Sequence, residues 1–149
     1  MQLEKFLFCE MARTEANGQI TLVGLHSGDL LIIQRERDDP DQFVIPNLAC
    51  VVVLGDMEKV KSLRFQCNVR FGDTEVMNTP EQPLPLTIPR PFCNIVFGFS
   101  PFPCLQGIGD YEFRLTVQSE TAAPTTYSRK FRIKSETVSS SAGSSSLRH

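Results

Sequence analysis

Residues 63–71 alternate without interruption, since every odd-numbered position is apolar and every even-numbered position is polar. Side chains of a β-strand point alternately to its two faces, so this pattern predicts a strand with one buried face and one face in water. Comparable runs recur between residues 6 and 133, and none follows the 3.6-residue period of an amphipathic helix. The sequence therefore predicts an all-β protein.

The arrangement of these runs narrows the architecture. Short strands separated by turns predict an antiparallel β-sandwich of seven to nine strands, immunoglobulin-like in the broad sense. Asn17-Gly18 predicts a hairpin turn, because both residue types tolerate positive φ. Residues 48–54 are almost continuously apolar, which predicts a central strand covered on both faces. Residues 80–103 hold seven of the ten prolines, which favours connections and edge strands there.

A hairpin over residues 110–119 and 126–135 is predicted to close the domain. Placing Phe113 opposite Phe131 also places Glu112 opposite Arg132, a favourable cross-strand pair of opposite charge. In this register Arg129 points inward opposite Leu115. That position is unfavourable unless it lies at a sheet edge or a bulge.

Tyr111 enters this hairpin two residues before Phe113, which is the pattern of a tyrosine corner with its hydroxyl bound to nearby backbone. The chain has no tryptophan, so antibody-type domains are excluded and the broader sandwich architecture remains. Alternation assigns eight side chains to the interior: Phe65, Cys67, Val69, Tyr111, Phe113, Leu115, Phe131 and Ile133.

Length and composition indicate one folded domain. The chain has 149 residues, of which 41% are hydrophobic and 21% charged, with a net charge of −2. This charge does not favour nucleic acid or an anionic membrane, and we expect neither as a partner. We predict a β-sandwich domain over residues 1–134. Residues 135–149 include seven serines and are predicted to form a flexible tail, since they have little apolar mass to bury.

The five cysteines are Cys9, Cys50, Cys67, Cys93 and Cys104, an odd number at irregular spacings. Four of them lie in apolar, strand-like segments, where a free cysteine behaves as a small hydrophobic residue. The N-terminus lacks the pattern of a secretory signal peptide. We therefore predict a cytoplasmic protein with reduced, buried thiols.

Four segments of the chain resemble a known family. Residues 3–13 follow the motif L-E-x-F-L-F-C-E-x-A-R, and residues 18–25, 45–49 and 109–113 fit the same family. It is an uncharacterised bacterial family of small, single-domain β-sandwich proteins, a domain of unknown function. The resemblance covers approximately residues 1–134 and implies the sandwich fold, with no activity, substrate or cofactor.

Catalytic and metal-binding patterns are sparse in this sequence. Only His26 and His149 could serve as an imidazole base, and we interpret His26 as an ordinary loop residue because its neighbours in a turn rarely reach relay geometry. No cysteine or histidine spacing indicates zinc, and we expect no cofactor. Asp38, Asp39 and Asp41 form a weak candidate calcium site, since calcium prefers clustered carboxylates.

Two further groups of residues are candidate contact surfaces. Basic residues on the solvent-exposed faces of predicted strands form a weak candidate anion site: Arg64, Arg70, Arg114, Lys130 and Arg132. Lys134 lies on the same face of the last strand. Phe99 and Phe102 are candidate protein contacts, because Phe102 lies between two prolines on a loop that we expect to be rigid and partly exposed.

We interpret the chain as a non-catalytic protein-binding or assembly module, which binds an unknown protein partner or a second copy of itself. The alternatives are a calcium- or anion-dependent adaptor that uses the acidic loop 38–41 or the basic sheet face, and an enzyme with carboxylates carried on loops. We favour the first interpretation because the sequence predicts a well-formed β-sandwich but shows no group of residues typical of catalysis.

Overall fold

The computed structural model describes residues 1–36 and 39–138. Within them the chain forms twelve β-strands, one short 3-10 turn (Ser27–Asp29) and no α-helix, which confirms the all-β class. The strands are β1 (Gln2–Thr14), β2 (Ile20–Leu25), β3 (Leu30–Arg35), β4 (Phe43–Ile45), β5 (Leu48–Gly55), β6 (Ser62–Phe71), β7 (Thr74–Asn78), β8 (Gln82–Pro85), β9 (Cys93–Phe99), β10 (Phe102–Cys104), β11 (Gly109–Ser119) and β12 (Thr125–Thr137).

The predicted number of seven to nine strands was too low. The additional strands are β4, β7, β8 and β10, which have between three and five residues each. Strands this short have too few positions to show an alternating pattern. They form because a neighbouring strand supplies backbone hydrogen-bond partners, which their own sequence does not reveal.

Two main sheets form the sandwich-like fold. Sheet 1 has the strand order β2-β1-β5-β9, and sheet 2 has the order β3-β12-β11-β6-β7, with β8 also paired to β6. A third, two-stranded sheet consists of β10 and β4. All pairs are antiparallel except β12 with β3, which run parallel. This parallel pair departs from the expected antiparallel arrangement. β3 is the terminal strand of sheet 2.

Aromatic rings join the two main sheets. The ring of Phe8 on β1 lies 4.9 Å from that of Phe113 and 4.8 Å from that of Phe131, between ring centroids. Burying such rings contributes strongly to stability because each one removes a large apolar area from water. Seven of the eight predicted interior residues are buried, and the eighth, Phe65, is partly buried against the core.

A smaller apolar cluster explains why β5 is buried on both faces, as predicted. Cys9, Ala49 and Val51 form it, and Ala12, Ile20 and Leu22 of the β1–β2 hairpin pack against it together with Val96. Residues of this hairpin therefore pack against Ala49 and Val51 of β5, in a cluster separate from the main core. Its turn contains Gly18 at φ +81°, in agreement with the Asn-Gly prediction.

The predicted register of the last hairpin was wrong by two residues. Tyr111 lies opposite Phe131, and Phe113 lies opposite Arg129. A shift of two leaves every side chain on its predicted face, so alternation alone cannot distinguish the two registers. Arg132 forms an ion pair with Asp110 at 2.6 Å and not with Glu112. The side chain of Arg129 is half-exposed and forms an ion pair with Asp29, so it does not face Leu115.

The described part of the chain ends shortly after β12. This strand continues to Thr137, three residues beyond the predicted end of the domain at Lys134. The predicted flexible tail falls mostly on residues 139–149, which lie outside the described residues. No helix in residues 1–36 or 39–138 is long and apolar enough to span a membrane.

Candidate functional site

β3 has a free edge in the described part of the structure. β3 pairs with β12 along one edge, and along the other it pairs with no described strand. Its sequence begins with four consecutive apolar residues, 30–33. Leu31 and Ile33 pack against the main core, whereas Ile32 is 48% exposed. The edge therefore presents unpaired backbone groups beside apolar side chains.

A groove runs beside this edge, and we call it the β3 groove. It has a volume of about 310 Å³. Most of its lining is apolar and comes from β3, from β4 and from the residue after β4: Leu31, Ile33, Val44, Ile45 and Pro46. Its polar lining residues are Glu10, His26 and Asn47. An apolar groove with a few polar groups is the usual form of a binding site.

His26 is held at the groove by backbone and ring contacts. Its N–H donates to the carbonyl oxygen of Phe8 at 2.9 Å, and its ring lies 5.3 Å from that of Phe131. The Nε2 atom is buried and has no hydrogen-bond partner among the described residues. Burial lowers the pKa of His26, and the negative charge of Glu10 partly opposes this effect. The imidazole is consequently neutral at neutral pH.

Side-chain contacts stabilise both ends of β3. Before the strand, Asp29 adopts φ +55°, and its Oδ2 atom accepts a 2.5 Å hydrogen bond from Nε of Arg129 on the neighbouring β12. At the other end, the guanidinium of Arg35 lies 5.6 Å from the ring centroid of Phe43 and donates to the carbonyl oxygens of Asp39 and Pro40. These contacts hold β3 extended at the rim of the sandwich.

Glu10 is the single acidic side chain among the described residues that line the β3 groove. The groove and the free edge together offer main-chain hydrogen bonds and apolar contacts. These are the two kinds of interaction that an added β-strand uses.

Phe99 and Phe102 do not form the expected contact surface. Phe102 is completely buried and Phe99 is 8% exposed. Their rings lie 5.6 Å apart, and that of Phe102 also contacts Tyr111 and Phe113. The prediction failed because the prolines on either side of Phe102 suggested an exposed loop. Instead, the segment forms β10, whose pairing with β4 turns the ring into the core.

The candidate calcium ligands do not form a described cluster. Asp38 lies outside the described residues. The Oδ2 atom of Asp39 accepts a 2.7 Å hydrogen bond from the backbone N–H of Glu36, and Asp41 is exposed. Across residues 1–36 and 39–138, no group of three or more histidine, cysteine or acidic side chains is arranged to hold a metal ion.

The basic residues do lie on neighbouring strands. Most of them, however, already form ion pairs or hydrogen bonds with oxygen atoms of the same chain. Arg114 pairs with Glu112 at 2.8 Å, Arg132 pairs with Asp110, and Arg64 pairs with Glu81 at 3.4 Å. Arg70 donates to the carbonyl oxygen of Asp73 at 2.7 Å. Lys130 lies opposite Glu112. This face therefore carries interleaved charges of both signs, which weakens its attraction for a single anion.

A scan against protein-family models and a search of curated proteins found no match to this chain. The candidate site thus depends on the structure alone. The sequence contained one signal for it, the apolar run at residues 30–33, because a half-buried strand would alternate and this one does not. The groove itself had no sequence signal, since residues far apart in the chain line it.

Proposed function

We propose that this protein is a non-catalytic protein-binding module that takes up an extended segment of its partner along the free edge of β3. The observation that carries the proposal is the unpaired edge of β3 directly beside the apolar β3 groove. An added strand would form backbone hydrogen bonds with β3. Every second side chain would then enter the groove against Leu31 and Ile33, which favours partner segments with apolar residues at every second position.

The other exposed edges carry features that oppose strand addition. β7 has only five residues and includes exposed Glu75, and β8 contains Pro83 and Pro85. β2 contains Gly24 at φ +64°, a conformation that departs from regular extended backbone. Short length, charge, proline and irregular backbone are the usual means by which proteins keep edge strands from pairing.

The edge of β9 is also partly protected. Gly18 and Ile20 of the β1–β2 hairpin line the same surface cavity as Asn94 on β9, so the hairpin lies close to this edge. β3 has no proline, no glycine and no charge before Arg35 at its end. An edge without such protection is the one that we expect a partner strand to use.

Selection of peptides from a random display library tests the proposal. The wild-type protein is expected to enrich peptides with apolar residues at alternate positions. Ile32→Lys places a charge on the edge, and Val44→Asp places one in the β3 groove. Each substitution is expected to weaken binding of the selected peptides about tenfold or more, which corresponds to about 1.4 kcal/mol.

Matched controls separate this effect from a general change of surface charge. Ile88 is 61% exposed and Val23 is 49% exposed, and neither residue belongs to β3 or lines the groove. Ile88→Lys and Val23→Asp are therefore expected to leave peptide affinity unchanged. Failure to enrich any peptide, or equal loss of affinity in the controls, would contradict binding at β3.

The proposed location is the cytoplasm. The five cysteines are free and buried, and unpaired thiols persist most readily in a reducing compartment. Fractionation of cells that produce the untagged protein tests the location. Recovery of the protein with the cytosolic fraction is expected, and recovery with an extracytoplasmic fraction would refute it.

A further inference from the structure

The residue order along β3 is complementary to itself when two copies run antiparallel. Asp29 lies three residues before Ile32, and Arg35 lies three residues after it. If Ile32 of one copy faces Ile32 of another, Arg35 at the end of β3 in each copy lies near Asp29, the residue that precedes β3 in the other copy. Opposite charges that come close at the ends of an antiparallel pair attract each other and favour this register. The symmetric arrangement forms this favourable pair twice.

The apolar residues match in the same register. Leu31 of one copy faces Ile33 of the other, and both residues line the β3 groove. Ile32, 48% exposed in the single chain, would face its own counterpart on the other side of the strand. The pairing therefore removes apolar surface from water on both faces of the new strand pair, which favours association.

The existing contacts of the charged residues are compatible with this pairing. Arg129 contacts the Oδ2 atom of Asp29, and a carboxylate has a second oxygen that can accept from another cation. Arg35 uses one terminal nitrogen for its two carbonyl contacts, and a guanidinium has further N–H groups to donate. Each side chain can therefore keep its contacts within the chain.

We infer that the partner bound at β3 is a second copy of this chain, joined across a two-fold axis at Ile32 so that the two copies of sheet 2 become continuous. This inference rests on the proposed function, because it uses the same edge. A two-fold arrangement is also the commonest symmetry of protein dimers. Binding of a different protein at this edge is the alternative outcome of the tests below.

A single engineered cysteine tests the register. All five native thiols are buried, so Ile32→Cys adds the accessible one. At the two-fold axis the two new thiols would face each other, within the Cα separation that a disulfide needs. Mild oxidation of the full chain is expected to give a covalent dimer on non-reducing gels. Ile88→Cys is the control, and equal dimer formation by that variant would contradict the inference.

A charge exchange tests the symmetry. Sedimentation velocity of the wild-type protein is expected to show a dimer. Ile32→Lys and Ile32→Glu place two like charges against each other at the axis, so each variant alone is expected to weaken the dimer about tenfold or more. Mixing the two variants in equal amounts brings opposite charges together, and a heterodimer is expected. A dimer unaffected by these changes would overturn the inference.

The result also separates this inference from the proposed function. If the wild-type protein is monomeric at all concentrations and selected peptides still bind β3, the second-copy inference is wrong and strand addition stands. If the protein neither dimerises nor binds selected peptides at β3, both are wrong. Dimerisation with the expected Ile32 dependence supports both.

Discussion

The hydroxyl of Tyr111 donates a 2.6 Å hydrogen bond to the carbonyl oxygen of Gly107, four residues earlier in the chain. Tyr111 is completely buried, and Gly107 adopts φ +78° in the turn before β11. Burial, together with the neighbouring Cys104, raises the pKa of Tyr111. The hydroxyl therefore stays protonated and ties the turn to the core, as the tyrosine-corner pattern predicts.

We expect Tyr111→Phe to lower the free energy of unfolding by about 1–3 kcal/mol, because it leaves the buried carbonyl of Gly107 without its partner. Urea unfolding measures the change. Tyr127→Phe is the matched control, since Tyr127 is only partly buried and makes no side-chain hydrogen bond in the part of the chain that the structure describes. An equal loss in both variants would argue against the corner as its cause.

Phe102→Ala is expected to destabilise the domain by about 3–5 kcal/mol, the usual cost of removing a buried phenylalanine ring. The ring contacts three other aromatic rings and is fully buried. Phe92→Ala provides the comparison, because Phe92 is 56% exposed. Chemical denaturation decides between them, and a loss below about 1 kcal/mol for Phe102→Ala would mean that the ring is not in the core.

His26 is expected to make stability depend on pH. The pKa of His26 is lowered in the folded state from the value near 6.5 that it has in the unfolded chain. As pH falls below about 6.5, the unfolded chain therefore binds a proton at His26 more readily than the folded protein does. The contribution of His26 is therefore fully present above about pH 6.5 and is lost as pH falls toward the lower folded value. We expect a nuclear magnetic resonance titration to give a His26 pKa below 6.5.

His26→Phe tests the same residue by removing the buried Nε2 atom while it keeps an aromatic ring against Phe131. Loss of an unsatisfied buried nitrogen is expected to stabilise the domain by about 1 kcal/mol, with a smaller loss of stability between pH 7 and pH 5. Thermal unfolding at several pH values measures both effects. An unchanged pH dependence would show that groups other than His26 cause the loss of stability at low pH.

The cysteines are expected to resist thiol reagents in the folded protein. All five are buried, burial raises the pKa of Cys9 and Cys93, and it raises that of Cys104 to about 11. Only the thiolate reacts readily, so labelling of native protein at pH 8 should be slow. Guanidinium should make all five thiols react, and rapid labelling without it would indicate an exposed cysteine.

Alternation along the strands was sufficient to predict the interior of the sandwich. Phe113, Cys67 and Val69 lie in the core because a strand's period of two follows from backbone geometry and needs no knowledge of its neighbours. The same local physics predicted the Asn17-Gly18 turn and the corner at Tyr111. Strand assignment failed for the shortest strands, where three to five residues carry too little pattern.

The sequence by itself therefore determined the all-β class, the buried faces of β6, β11 and β12, and the turn at Asn17-Gly18. Only the tertiary structure decided the register of β11 with β12, the burial of Phe102 and the free edge of β3 beside its groove. The physical reason is that local backbone preferences act over a few residues. Strand order, register and cavities depend instead on contacts between residues distant in the chain.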